Sequence, residues 1–151
     1  MCYQVLQALE KLHEHKFSLQ ALDCADILID KEFNVRMKPR NIVRLGLSAT
    51  PLTNSILESE DFRTLAPELL MQQDQKMVKR TLSSDVWSVG CVLFALLSGY
   101  QPFEENSCSA TLIRIFKTMG TPTFSDIPSF ADTQMAQKIT LFPQFAPLNL
   151  C

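Results

Sequence analysis

Cysteine and histidine are the residue types in this chain that most readily supply a nucleophile or a metal ligand. The five cysteines are Cys2, Cys24, Cys91, Cys108 and Cys151, and the two histidines are His13 and His15. No two cysteines have Cys-x-x-Cys spacing, and the histidines have no further ligand at metal-binding spacing. Scattered cysteines in odd number favour reduced thiols in an intracellular protein over a disulfide framework or a zinc site. The sequence therefore predicts no metal centre.

Length, composition and charge narrow the class of protein. The 151 residues, 46% of them hydrophobic and 20% charged, are enough for one domain with a packed core. The net charge is -2 and no basic block occurs, so we expect no nucleic-acid partner. The first residues lack a cationic segment followed by an apolar one, and no run of about 20 apolar residues could span a membrane. These features predict an intracellular protein, in the cytoplasm or the nucleus.

The longest apolar run, residues 83–97, is predicted to be the helix around which the other elements pack. Ser83 or Ser84 can cap its N-terminus, and Asp85 places a negative charge in the first turn, where the helix dipole favours it. After this turn apolar side chains lie on nearly every face, which is typical of a buried helix. Gly99 is predicted to end it.

Three further segments carry periodic patterns. Residues 1–16 have apolar side chains at three- and four-residue spacing, which predicts an amphipathic helix with its two histidines at the surface. Two short apolar runs, residues 27–29 and 33–37, predict a small hairpin. Residues 111–119 predict a second amphipathic helix that ends at the following glycine.

Two motifs and the spacing between them resemble a known family. Ala66-Pro67-Glu68, followed by Asp85-Val86-Trp87-Ser88-Val89-Gly90, resembles the large lobe of a eukaryotic protein kinase. In that family the first motif closes the activation segment, and the second lies on the helix that forms the hydrophobic axis of the lobe. The resemblance implies a mainly α fold with a small β-hairpin, a kinase-like C-terminal lobe from which the small lobe is absent. It covers residues 1–125, and the proline-punctuated residues 126–151 are expected to form a largely irregular tail with a short helix around 132–139.

Two acidic residues of these motifs have structural roles in the family. The aspartate that matches Asp85 hydrogen-bonds the backbone of the catalytic loop and holds this loop in shape. The glutamate that matches Glu68 pairs with an arginine of a later helix, which this sequence does not reach. The resemblance therefore implies that Asp85 keeps its role and that Glu68 lacks its partner.

The loop that carries catalysis in the family is degenerate here. An active kinase reads His-Arg-Asp-Leu-Lys-Pro-x-Asn, in which the aspartate orients the substrate hydroxyl, the lysine steadies the phosphoryl group and the asparagine holds magnesium. The matching residues are Leu19-Gln20-Ala21-Leu22-Asp23-Cys24-Ala25-Asp26. Ala21 cannot orient a hydroxyl, Asp23 reverses the charge of the lysine, and Asp26 could still bind a cation. Making Asp23 the catalytic residue would put Leu28 at the magnesium position and disrupt the hairpin match, so we reject that register.

The magnesium-binding loop is also changed. Where the family reads Asp-Phe-Gly, the sequence has Pro39-Arg40-Asn41. Pro39 has no carboxylate, Arg40 puts a cation at an apolar position, and Asn41 tolerates a left-handed backbone less freely than glycine does. Without both aspartates, phosphoryl transfer loses its positioning and its charge neutralisation. Because the glycine-rich loop, strand lysine and helix glutamate of the small lobe are missing as well, the resemblance implies no binding of ATP or magnesium.

Two other segments are candidates for regulation. Residues 44–65 match the activation segment and contain Thr50-Pro51, a candidate phosphosite, although a polar loop is the interpretation we favour. Residues 115–122 resemble the cyclin-dependent kinase group, in which this helix helps to dock partners. The candidate surface for a protein partner consists of Leu112, Ile113, Ile115 and Phe116. The alternative is that these side chains only cover the core.

These observations leave three hypotheses. The one we favour is a catalytically inactive, truncated protein kinase-like domain, a pseudokinase that acts, if at all, by binding a protein as a scaffold or regulator. The second is a serine/threonine protein kinase fragment that transfers phosphate from ATP to protein, against which Ala21 and Pro39 argue. The third is a decaying gene duplicate without a selected function.

Overall fold

The computed structural model describes residues 2–19, 22–38, 42–44, 61–72, 81–123, 126 and 133–148. Its elements, in chain order, are α1 (Cys2–Glu14), β1 (Phe17–Leu19), a 3-10 helix (Cys24–Asp26), β2 (Ile27–Ile29), β3 (Val35–Met37), β4 (Ile42–Arg44), a second 3-10 helix (Asp61–Thr64), α2 (Pro67–Leu70), α3 (Leu82–Ser98), α4 (Cys108–Met119) and α5 (Thr133–Thr140). The described part is mainly helical, as the sequence predicted. None of the helices described is long and apolar enough to cross a membrane.

The first helix, α1, packs one face against the strands and α3. Val5 and Leu9 are buried, as their four-residue spacing predicts, whereas Leu6 lies at the surface. The side chain of Gln4 accepts a hydrogen bond from the Val35 N–H at 3.0 Å, which fixes α1 beside β3. Lys16, at φ 61, turns the chain from α1 into β1.

Two small antiparallel sheets flank α1. Strands β2 and β3 form the predicted hairpin, in which Ile27 pairs with Met37 and Ile29 with Val35. Asp30 closes its turn, because its Oδ1 accepts the backbone N–H groups of Glu32 and Asn34. Strands β1 and β4 form a second sheet, which the sequence did not predict because each strand has three residues and no alternating pattern marks them.

The helix α3 begins one residue earlier than predicted and is capped differently. Thr81 is the N-cap, and neither Ser83 nor Ser84 fills that role: the Ser84 hydroxyl instead donates to the Thr81 carbonyl at 2.6 Å. The C-terminal prediction is confirmed, since Gly99 adopts φ 83 and its N–H bonds the Ala95 carbonyl.

The prediction that α3 is buried on all sides is wrong for one face. Ser84, Asp85, Ser88, Val89, Cys91 and Val92 are buried. Val86, Leu93 and Leu97 are exposed, because no element described in the structure covers their side of the helix.

Within the part of the chain that the structure describes, the interior consists of two apolar clusters, and α3 contributes to both. The first joins α1, β1 and the middle of α3; its buried members are Val5, Leu9, Leu19, Leu22, Val89 and Val92. The second lies around α2 and α4; its buried members are Leu65, Ala66, Leu69, Leu70, Met71, Cys91, Phe103, Leu112, Ile115, Phe116 and Ile139. Because α3 supplies side chains to both clusters, it is the axis that the sequence predicted.

The C-terminal residues 133–148 pack against α4. The helix expected near residues 132–139 is present as α5, and Ile139 is buried. Phe142 makes an edge-to-face contact with Phe116, with ring centroids 5.2 Å apart. The backbone N–H of Thr121 bonds the Phe145 carbonyl at 3.0 Å. Aromatic side chains and hydrogen bonds therefore fix a segment that its prolines had marked as irregular.

Candidate active site

The loop that is predicted to match the catalytic loop of kinases lies between β1 and the first 3-10 helix. Gln20 and Ala21 lie outside the described residues. Leu22 is fully buried in the first apolar cluster and anchors the loop to α1 and α3. Leu19 pairs with Ile42 in the β1–β4 sheet, so the strand that leads into this loop lies beside β4.

Both carboxylate oxygens of Asp85 accept hydrogen bonds from residues of β1. Oδ2 accepts the backbone N–H of Leu19 at 3.1 Å, and Oδ1 accepts the hydroxyl of Ser18 at 3.0 Å. Asp85 is 3% exposed and Ser18 is fully buried. The hydrogen bond between Asp85 and this backbone, which the resemblance implied, is therefore present, with the Leu19 N–H as the donor.

His13 completes this network, contrary to the prediction that it lies at the surface. Its Nε2 lies 2.8 Å from Oδ2 of Asp85, and its side chain is 17% exposed. When Asp85 is ionised, its carboxylate only accepts hydrogen bonds, so Nε2 of His13 is then the donor. The sequence contained a signal for this position, since His13 lies four residues after Leu9 on the buried face of α1.

The electrostatic state of Asp85 reflects two opposing effects. Burial raises the pKa of its carboxyl group above the ordinary value, while the hydrogen bonds from His13, Leu19 and Ser18 lower it. Burial is the larger of the two effects. The network therefore compensates in part for the cost of placing a carboxylate inside the fold.

The two acids that are predicted to replace the lysine and the asparagine of the family form hydrogen bonds within their own loop. Asp23 caps the first 3-10 helix, because its side chain accepts the Ala25 N–H at 3.4 Å. In turn, Oδ2 of Asp26 accepts the Asp23 N–H at 3.1 Å, so the two aspartates form a capping box. Asp26 is 2% exposed. Its carboxylate is therefore part of the turn that shapes the loop.

The described residues contain no group of three or more potential metal ligands from histidine, cysteine, aspartate and glutamate. Cys24 lies beside Asp23 in the same turn, and burial, with a smaller effect of the Asp23 charge, raises the pKa of its thiol. A thiol with a raised pKa is less often the reactive thiolate. Burial also raises the pKa of Cys91 to about 12. Cys2, Cys24, Cys91 and Cys108 are all free.

Several residues with predicted roles lie outside the described part of the chain. Pro39, Arg40 and Asn41, which are predicted to replace Asp-Phe-Gly, lie outside the described residues. So does Thr50, the candidate phosphosite. For this loop, the structure describes Leu19 and the residues from Leu22 onward.

The Ala66-Pro67-Glu68 motif forms the start of α2. Ala66 is buried at the N-cap and Pro67 occupies the first turn, where its missing N–H costs no hydrogen bond. Burial raises the pKa of the Glu68 carboxyl group, and among the described residues no cation pairs with it. The motif is tied to α3, since the Ser88 hydroxyl donates to the Thr64 carbonyl at 2.8 Å.

The remaining motif residues, Trp87 and Gly90, lie on different faces of α3. The Trp87 ring stacks on Phe103, with centroids 5.6 Å apart, and helps to close the second cluster. Gly90 is exposed, and a Cβ at this position would have no neighbour within 4 Å.

The predicted partner surface on α4 is mostly interior. Leu112, Ile115 and Phe116 are each 2% exposed and belong to the second cluster, and Ile113 is half-buried. The alternative that these side chains cover the core therefore describes three of the four. Their i, i+3, i+4 spacing marks a buried stripe as well as it marks a docking stripe.

With the geometry of the loop defined, comparison with known proteins establishes the family. The model of the protein kinase domain family matches residues 1–141. The chain therefore belongs to the protein kinase domain family.

Two relatives are protein kinases by name. The chain is 30% identical over 131 residues, 85% of its length, to a probable cyclin-dependent serine/threonine-protein kinase of Dictyostelium discoideum. It is 25% identical over 142 residues, 93% of its length, to mitogen-activated protein kinase 2 of Pneumocystis carinii. The matched regions make up 9% and 39% of these two relatives, so the chain spans a minor part of each.

Proposed function

We propose that this chain is a catalytically inactive protein kinase-like domain that acts by binding other proteins. The observation that carries this proposal is the contrast within one loop. Asp85 keeps the loop attached to the fold through Leu19, while the positions that handle phosphate and magnesium in active kinases hold different chemical groups.

The charge of the loop supports the proposal. In active kinases a lysine at the position of Asp23 neutralises the phosphoryl group during transfer. Here Asp23 puts a carboxyl group at that position, and Asp26 puts a second one at the position of the magnesium-binding asparagine. Negative charge beside a triphosphate raises the free energy of the transition state, because phosphoryl transfer depends on neutralisation of the developing charge.

The local hydrogen bonds support it as well. Asp26 is buried and accepts the Asp23 N–H, so its recruitment to a cation would compete with the turn that it stabilises. Ala21, at the position of the catalytic aspartate, has no group that can accept or orient a hydroxyl proton.

The test is transfer of labelled phosphate from ATP, with magnesium, to a mixture of serine- and threonine-containing peptides. We expect incorporation equal to a blank without protein, under conditions in which an active cyclin-dependent kinase labels the mixture. Asp23→Ala and Asp26→Ala are assayed beside the wild-type chain. Incorporation that persists in wild type and disappears in Asp26→Ala would overturn the proposal, because it would trace the activity to this loop rather than to a contaminant.

The second candidate function, serine/threonine protein kinase activity, is favoured by the names of the relatives, and the same assay decides between the two. Thermal unfolding followed by circular dichroism adds an independent readout. We expect one cooperative transition whose midpoint is unchanged by ATP and magnesium, since a ligand stabilises only the state that it binds. A nucleotide-dependent increase would favour the kinase, and the lack of any cooperative transition would favour a decaying duplicate.

A further inference from the structure

Residues 141–148, which follow α5, return along the end of α4, and we call them the strap. The Thr121 N–H donates to the Phe145 carbonyl at 3.0 Å, and the Leu148 N–H donates to the Thr118 carbonyl at 3.0 Å. The two pairs have antiparallel order, because the earlier residue of one segment is bonded to the later residue of the other. Paired backbone groups therefore hold the strap beside α4 at two points.

The side chain of Thr121 adds a third attachment. Its hydroxyl donates to the Pro143 carbonyl at 2.8 Å and accepts the Phe145 N–H at 3.0 Å. A single hydroxyl thus uses both its donor and an acceptor site on the same segment. Thr121 is 8% exposed, so water does not readily replace either bond if it is lost. We call this hydroxyl the latch of the strap.

The residue before Thr121 is shaped for the close approach of the strap. Gly120 has φ 88 and ψ 152, a conformation that is open essentially to glycine alone. A Cβ at this position would lie 3.1 Å from Cδ and 3.2 Å from N of Pro147. Both the backbone angle and the available space therefore require glycine where the strap passes, which shows that the sequence specifies the closed position.

The latch residue also stands in a sequence context that allows its modification. Thr121-Pro122 and Thr50-Pro51 are the two Thr-Pro pairs of the sequence, and no serine precedes a proline. A proline directly after the hydroxyl is what proline-directed protein kinases recognise. Phosphorylation removes the O–H donor and adds a charge of about −1.5 to −2. The Pro143 carbonyl would then face a negative group instead of a donor, so the closed strap and a phosphorylated Thr121 are incompatible.

We propose that Thr121 is a latch controlled by phosphorylation. In the unmodified chain its hydroxyl holds the strap on α4. A proline-directed kinase transfers the γ-phosphoryl group of ATP: a bond forms between Oγ1 of Thr121 and phosphorus, the bond from phosphorus to the β,γ-bridging oxygen breaks, ADP leaves, and the hydroxyl proton passes to the base of that kinase. The modified chain releases the strap and uncovers Phe116, which the ring of Phe142 contacts in the closed state.

The burial of Thr121 determines how this switch operates. A kinase reaches the hydroxyl only when the strap opens locally. Phosphorylation then removes the donor that closes the strap, so a state that is minor in the unmodified chain becomes the major one. The rate of phosphorylation therefore reports how often the strap opens. The inference does not depend on the catalytic state of this chain, because the chain is the acceptor of the phosphoryl group.

Amide hydrogen exchange, measured by NMR on the full chain, tests the latch. Thr121→Val removes the hydroxyl and keeps the branched shape, and Thr121→Ser keeps the hydroxyl as the matched control. We expect exchange of the Leu148 N–H to become roughly tenfold faster in Thr121→Val, because the latch bonds no longer hold the strap, and to change little in Thr121→Ser. Faster exchange confined to Phe145, which loses its own acceptor, would contradict the proposal, since the strap would not open as a unit. So would an equal increase at the Gly99 N–H, which bonds the Ala95 carbonyl and reports on the rest of the fold.

Phosphorylation by an added active cyclin-dependent kinase, located by mass spectrometry, tests the modification. The chain carries Thr50→Val, so that Thr121-Pro122 is the remaining Thr-Pro pair. Phe142→Ala removes the ring contact with Phe116 and loosens the strap, and Leu141→Ala, at the neighbouring exposed position, is the matched control. We expect Thr121 to be phosphorylated roughly tenfold faster with Phe142→Ala than with Leu141→Ala, because opening limits the reaction.

Three results would sink the proposal: no phosphate on Thr121 in either variant, equal rates in both, or a phosphorylated chain whose Leu148 N–H exchanges as slowly as before. If Phe142→Ala shows no cooperative unfolding by circular dichroism, Phe142→Leu takes its place, since it removes the ring and keeps an apolar side chain. Incorporation without the added kinase is the separate assay of the chain's own activity. Failure of the latch and failure of the inactive-kinase proposal are therefore distinct outcomes.

Discussion

Two buried aspartates contact the same loop, and they accept hydrogen bonds from different parts of the chain. Asp85 receives hydrogen bonds from Leu19 and His13, which lie 66 and 72 positions away in the chain. Asp26 accepts the backbone N–H of Asp23, three positions away. The first aspartate joins α1, β1 and α3 into one fold, and the second shapes a turn. The chain thus keeps the family's residue where the contact is long-range and structural, and it carries other residues at the positions that we propose correspond to the family's phosphate and magnesium contacts.

The largest effect that this comparison predicts is that of Asp85→Ala. The substitution leaves the Leu19 N–H, the Ser18 hydroxyl and the His13 ring without their shared acceptor inside the fold. We expect a loss of about 3 kcal/mol in the free energy of unfolding, measured by urea denaturation followed by circular dichroism. Asp85→Asn, which keeps one acceptor oxygen, should lose less. A loss below about 1 kcal/mol for Asp85→Ala would show that the network does not hold the elements together.

Ser18→Ala should have the next largest effect. Ser18 is fully buried and donates to Oδ1 of Asp85, so its removal leaves that oxygen without this donor. We expect a loss of about 1.5 kcal/mol, the range for a hydrogen bond to a charged group. Ser98→Ala is the control, because its hydroxyl bonds the Phe94 carbonyl at an exposed site. Equal losses in the two variants would mean that the charge and burial of Asp85 add nothing.

Asp23→Ala should be milder than either, since it removes only the cap of a short 3-10 helix. We expect a loss of about 1 kcal/mol or less, and Asp23→Asn, which can cap as well, should be close to wild type. The same urea experiment measures both. If Asp23→Ala destabilises the chain as much as Asp85→Ala does, the loop is a structural centre in its own right and the contrast between the two aspartates is wrong.

The same contrast separates what the sequence could predict from what it could not. The hairpin, the stop at Gly99 and the helix near residue 133 follow from local patterns, because a turn residue or a spacing acts within a few positions. The bond from Asp85 to Leu19 came from the family resemblance, since no local pattern joins residues 66 positions apart.

Features that depend on several elements at once were missed. The β1–β4 sheet has three-residue strands whose pairing depends on the rest of the fold. His13 was placed at the surface because the pattern of α1 alone does not show that Asp85 lies opposite it. The exposure of Leu97 was missed for a related reason, since an apolar helix predicts burial and cannot specify which neighbours are present.

Glu68 offers the mildest test, in which the effect has the opposite sign. Glu68 is half-buried, and among the described residues its carboxyl group has no cation that compensates for burial. Burial raises its pKa in the folded state above the ordinary value of 4.5. A group with a raised folded pKa contributes stability below its unfolded pKa, and this contribution is lost as the pH rises through the folded pKa.

Glu68→Gln should therefore increase the free energy of unfolding at pH 7, and the gain should shrink as the pH is lowered toward 4.5, where the wild-type carboxyl group binds its proton. Urea denaturation at several pH values measures both quantities. Glu32→Gln, at an exposed site of the hairpin, is the control and should show no such dependence. A loss of stability in Glu68→Gln at pH 7 would mean that the ionised carboxylate has a stabilising partner. In that case Glu68 would resemble Asp85, and the family's motif would retain two structural carboxylates rather than one.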